Sequence, residues 1–127
     1  MTDSPRVPVS WGELIDKITI LEIKAERVTD PAAVANVKRE LALLVDALPA
    51  ATATLDSLRS ELSEVNRRLW DIEDAIRARE ASRSFDDEFV ALARSVYRTN
   101  DERARIKRDI NRLLQSPLIE EKHYVQY

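Results

Sequence analysis

Between residues 52 and 81 the apolar residues Leu55, Leu58, Leu62, Val65, Leu69, Ile72 and Ile76 recur in unbroken alternating steps of three and four. That spacing draws one apolar seam along an α-helix, and the seam demands a second helix packed against it at coiled-coil geometry. The partner follows directly. After "SRSFDDE", a turn with Ser84 or Asp86 as the next helix cap, the residues Phe85, Phe89, Leu92, Val96, Thr99, Arg103, Ile106, Ile110 and Leu113 keep the same alternation. Two helices of about 30 residues joined by a short turn predict an antiparallel hairpin about 45 Å long. Ser116-Pro117 ends the second of them, leaving an apolar-containing tail, "LIEEKHYVQY".

A shorter pair precedes this hairpin. Residues 1–9 read as a Pro-containing arm. Ser10 opens a helix with "SWGE", the spacing of a capping box in which Ser10 and Glu13 satisfy each other's amides. Trp11, Leu14, Ile15, Ile18, Leu21, Ala25 and Val28 then fall at helical spacing, with Glu13 and Lys17 as an outward pair. "TDPAA" restarts the pattern with Asp30 as cap and Pro31 in the first helical position. Val34, Val37, Leu41, Leu44, Val45 and Leu48 make its stripe, and Pro49 stops it. The expectation is one all-α domain over residues 1–127. Within it, a short hairpin (10–48) packs on a long coiled-coil-like one (52–115), with a tail at 116–127 that folds back.

Composition narrows the function classes. One Gly among 127 residues, with 34% charged residues, fits a chain that is nearly all helix. No Gly-rich phosphate loop is possible with Gly12 alone. The absence of cysteine removes disulfides and thiolate chemistry and suits the cytoplasm. The first residues have neither a basic n-region nor an apolar h-region, so no secretory leader is expected. No apolar run approaches the roughly 20 residues of a membrane span. Net charge is −3. Residues 51–93 hold ten acidic and six basic residues, residues 94–127 five and eight. Side-by-side neutralisation of the third helix by the fourth explains this better than nucleic-acid binding, because Asp101, Glu102 and Asp109 interrupt the basic segment.

Chemistry-bearing patterns are sparse. Glu61/Glu64 and Asp71/Asp74 place carboxylates one turn apart, a spacing common on exposed helix faces. Glu120-x-x-His123 has the spacing of a di-iron ligand pair, but a bundle site needs that motif twice. No metal site, cofactor or catalytic residue is assigned. What stands out is Thr99 and Arg103 in a seam that should be apolar. Counted back from the turn, they lie near Asn66 of the third helix. Around them a polar and aromatic patch gathers Asn66, Trp70, Glu73, Asp74, Arg77, Tyr97, Asn100, Asp101, Arg103 and Lys107. A register-fixing polar network involving Asn66, Asn100 and Arg103 is the plainest reading. A partner-binding surface anchored on Trp70 and Tyr97, or an anion pocket of Arg77, Arg103 and Lys107, are the others.

The strings "SWGELIDKITILEIKAERV", "NRRLWDIEDAIR" and "ARSVYRTNDERARIKRDIN" with its "EEKHY" tail resemble a small bacterial family of uncharacterised proteins, over nearly the whole chain. The resemblance carries no activity; it implies that Asn66, Trp70, Glu73, Asp74, Tyr97, Asn100, Asp101 and Arg103 form a functional patch. "LRSELSEVNRRLWDIEDAIRARE" also resembles helices of all-helical chorismate mutases, which line a pocket with Arg and Lys. That match is to generic amphipathic spacing, and Asp71 and Asp74 would crowd a dianion. The reading is therefore a non-catalytic interaction or scaffolding module with an unknown protein partner, without nucleic-acid binding or membrane insertion. The alternative is a binder of an anionic metabolite or a mutase-like enzyme. The helix lengths add a homodimer: the short hairpin covers only the lower long hairpin, leaving Ile72, Ile76, Phe85, Phe89 and Leu92 around the turn for a second copy.

Overall fold

Each helix begins where a short polar side chain can cap it. The computed structural model describes residues 3–127, so the first two residues of the arm lie outside the described residues. Four helices are present: α1 (Trp11–Arg27), α2 (Pro31–Val45), α3 (Ala53–Ala81) and α4 (Asp87–Leu113). Ser10, Asp30, Thr52 and Asp86 each accept the amide three residues on, from Glu13, Ala33, Leu55 and Phe89. Pro31 occupies the first turn of α2, where no amide donor is missed. Both long helices end with a residue at positive φ, Arg83 (55°) and Gln115 (50°). The amides of Ser84 and Ser116 reach back to the carbonyls of Arg79 and Asn111, so the last carbonyls are satisfied in the Schellman manner.

The architecture is all-α, with the short hairpin packed on the long antiparallel one. Within the short hairpin the two helices have unequal roles. α1 lies in the groove between α3 and α4 and touches both, whereas α2 touches only α1. Accordingly α2 has no buried residue, while seven residues of α1 are buried. The ion pairs fix direction. Glu22 and Glu26 meet Arg59 and Arg67 in the same order along α3, so α1 runs parallel to it. Glu13 and Asp16 meet Lys107 and Arg103 in reverse order, so α1 runs antiparallel to α4.

The core lies at the α1 end. Ile15, Leu55, Leu62, Val65, Ile106 and Ile110 are all buried, with Trp11, Leu48, Leu58 and Leu114 packed around them. α1 has 17 residues and α3 has 29, so at 1.5 Å per residue α1 falls about 18 Å short. Beyond it, among the described residues, helices α3 and α4 pack only on each other.

Two electrostatic expectations are corrected. Glu13 does not pair with Lys17; it binds Lys107 across the helices, and Lys17 faces Glu40 of α2 at 3.9 Å. With its carboxylate there, Glu13 supplies no return bond to Ser10, and only the Ser10 half of the capping box forms. Nor do acidic residues of α3 neutralise basic residues of α4. Among the described residues, ion pairs between these helices, or between α3 and the turn, run the other way, Arg68 to Glu102 and Arg79 to Asp86 and Glu88. Of the basic side chains of α4, Arg103 and Lys107 are met from α1 and the tail, and Arg105 and Arg112 by Asp109 of α4 itself.

Candidate functional site

The polar interruption in the α4 seam is occupied by α1. Asp16 is 1% exposed. Its Oδ1 accepts from Nε of Arg103 at 2.9 Å and its Oδ2 from Nη2 of the same guanidinium, a two-pronged pair. Nδ2 of Asn66 donates to Oδ1 of Asp16 and to Oγ1 of Thr19, both at 2.9 Å. Thr19 in turn donates to the Asp16 carbonyl at 2.7 Å. One α1 carboxylate thus gathers Asn66 from α3 and Arg103 from α4 in the middle of the bundle. Among the described residues no buried side-chain polar atom lacks a partner, which is the condition under which a buried polar cluster fixes one arrangement. The Asp16 hydrogen bond holds Arg103 charged more firmly than usual.

A second cation extends the cluster. Nζ of Lys107 donates to Glu13 at 2.8 Å and to Glu120 of the tail at 2.7 Å, with Asp16 at 3.9 Å. Burial alone would lower the Lys107 pKa; the bonds to Glu120 and Glu13 and the charge of Asp16 outweigh it and raise it. The same contact lowers the Glu120 pKa. One turn further on, Asn111 is buried and its Oδ1 accepts the Gly12 amide at 2.7 Å. The helices approach so closely here that a Cβ on Gly12 would lie 2.6 Å from the Lys107 carbonyl oxygen. That contact is with backbone, which explains the chain's single glycine inside a helix.

The patch expected from sequence is distributed by the structure over several sets of contacts. Asn66, Arg103 and Lys107 come together on Asp16, and Asn100 joins them at 3.5 Å from Arg103. Trp70 lies under the Arg27 guanidinium, 5.7 Å from its ring centre, and Arg27 also binds Asp71 at 2.7 Å. Tyr97 packs edge-on against Tyr127 of the tail, centroids 4.9 Å apart, and the Tyr127 hydroxyl donates to Asp101. Glu73 and Arg77 pair along α3 at 3.8 Å, and Asp74 is exposed. Among the described residues no aromatic contact joins Trp70 to Tyr97. Arg77 lies eleven residues beyond Asn66, about 16 Å along the helix, so the three-cation pocket of Arg77, Arg103 and Lys107 does not assemble. Glu120 faces Lys107 and Lys122.

Asp16, Thr19, Glu13 and Gly12 belong to this cluster and were not expected. The available signal was the polar step at Thr99 and Arg103, which states that something polar must face it from another helix, and a glycine where helix propensity argues against one. A family model covers residues 5–126 and describes a family of unknown function, DUF6165. The chain belongs to that family. The resemblance read from the three strings points the same way, and the family brings no assigned chemistry to the Asp16 cluster. No curated protein matches the chain, and no solved structure does. No helix among the described residues is long and apolar enough to cross a membrane.

Proposed function

We propose that the protein is a non-catalytic interaction or scaffolding module, one helical domain working in the cytoplasm as a homodimer joined through the turn end of the long hairpin. What supports this reading is an unfinished seam. Ile72, Ile76, Phe89 and Leu92 continue the apolar register past the end of α1 yet stay half-buried. Phe85 at the tip is 57% exposed and packs edge-on against Phe89, centroids 5.2 Å apart. Contiguous apolar surface of this kind marks interfaces, and paired aromatic rings make rigid anchors. A second copy offering the same surface across a two-fold axis gives each tip a third and fourth helix. Trp70, at the boundary where α1 stops, is an anchor within reach of a further protein partner.

The anionic-metabolite reading has less behind it at the Asp16 cluster. Arg103 and Lys107 are already answered by Asp16, Glu13 and Glu120, so no unbalanced positive charge remains inside the bundle for a dianion. Light scattering at micromolar concentration tests the dimer. The expected mass is twice the 14.5 kDa of one chain, and Phe89→Asp is expected to give a monomer or an aggregate. A wild-type mass of one chain contradicts the proposal.

A further inference from the structure

A concavity of about 860 Å³ lies between α4 and the returning tail, reaching the seam residues Val96 and Arg103 at one edge. That is the size of a small-molecule site. Its composition is unusual for this chain. The sequence contains three tyrosines, and all three, Tyr97, Tyr124 and Tyr127, line this one groove. The two from the tail are mostly exposed, so their ring faces are open to an incoming group. Val96 and Ala104 of α4 line the same groove. Charge in the groove is unbalanced. Its acid, Asp101, already accepts the Tyr127 hydroxyl, whereas Arg108 has no ion-pair partner among the described residues. Lys122 has only Glu120, at 3.5 Å, and Glu120 is held more closely by Lys107.

We propose that this groove binds a small molecule combining a planar ring with an anionic group, an aromatic carboxylate or a mononucleotide. The ring lies among Tyr97, Tyr124 and Tyr127, where aromatic faces accept any planar ring. The anion meets Arg108 and Lys122, the guanidinium offering two parallel donors to a carboxylate or phosphate. One wall of the site is the tail, fastened at Glu120 to Lys107 and at Tyr127 to Asp101 and Tyr97. A ligand touching both walls therefore ties the tail to α4. The site shares no residue with the apolar tip, so it stands independently of the dimer.

The test is calorimetric titration of the full chain with AMP, adenosine, inorganic phosphate and phenylacetate, with amide exchange followed in parallel. AMP or phenylacetate is expected to bind, which of the two showing whether the ring-bearing anion is a nucleotide or an aromatic acid, while adenosine and phosphate bind at least about tenfold more weakly. Amides of residues 122–127 slow on binding. Arg108→Glu with Lys122→Glu, and separately Tyr124→Ala, each weaken binding about tenfold or more; all three positions are exposed, so the helical signal in circular dichroism stays unchanged. Phe89→Asp binds as wild type does. No binding of AMP or phenylacetate up to about 1 mM, the weak end of specific affinity, overturns the proposal. So does binding that survives both sets of substitutions, or equal binding of phosphate alone.

Discussion

The two ends of the long hairpin carry the same alternating apolar pattern and reach different outcomes. At the end near Leu55 and Ile110, α1 fills the groove, and Ile15, Leu62 and Ile110 are completely buried. At the turn end, Ile76, Phe89 and Leu92 occupy equivalent seam positions and remain half-exposed. Seam pattern alone therefore sets pairing, while burial is set by whether a third helix arrives. Between the two ends lies the Asp16 cluster, where α1 crosses the only polar stretch of the α4 seam. A shift of α1 by one turn would take Asp16 away from Arg103 and Asn66 and leave a buried carboxylate unpaired, a penalty of several kcal/mol. The cluster thus fixes where α1 stops, and so how much of the hairpin stays open.

The largest expected effect breaks that crossing. Asp16→Ala leaves Arg103 and Asn66 without their acceptor and is expected to cost about 3 kcal/mol or more, measured by urea denaturation. A loss below about 0.5 kcal/mol, the range of ordinary surface changes, would show that α1 is positioned by apolar contacts alone. A paired truncation sharpens the comparison. Leu62→Ala at the filled end should cost about 3 kcal/mol, and Ile76→Ala at the open end about 1 kcal/mol when both are measured under dilute, monomeric conditions. Equal losses would mean the open end is packed as well as the filled one.

Much of this was legible in the sequence, for local reasons. The caps at Ser10 and Asp30, with Asp86 as one of two offered, and the two proline stops are short-range chemistry, and the seams of α3 and α4 follow a single facing direction. α1 was read less well because it is surrounded. A helix touched by α2, α3 and α4 has no single apolar stripe, so Ile23 is buried outside the expected one, while Leu14, Ala25 and Val28 of that stripe are only half-buried. Asp16, next to Ile15 in sequence, faces a different neighbour. The sequence could announce a polar need at Arg103 but not the residue that meets it, since no spacing rule links positions 16 and 103. Tail placement also escaped the apolar argument. Residues 118–127 do return along α4, held by Glu120 on Lys107 and by Tyr127 on Asp101 and Tyr97, while Leu118, Ile119, Tyr124 and Val125 stay exposed.

The smallest effect concerns that tail. Glu120 has its pKa below the ordinary 4.5 because Lys107 bonds its charged form. The tail's attachment at Glu120 is therefore complete above that value and is lost as pH falls through the depressed one. Proton NMR of the Tyr127 ring should show its packing against Tyr97 released in acid before the helices melt. A Tyr127 signal that changes only together with the helical signal would place the tail inside the cooperative fold.

The difference between the two ends is tested most directly by amide exchange read at several protein concentrations. The buried end should be equally protected at every concentration, because its third helix is part of the same chain. Residues 72–92 of α3 and α4 should exchange faster in dilute solution and slow progressively as a second copy covers the tip. Protection at both ends that is alike and independent of concentration would contradict the account.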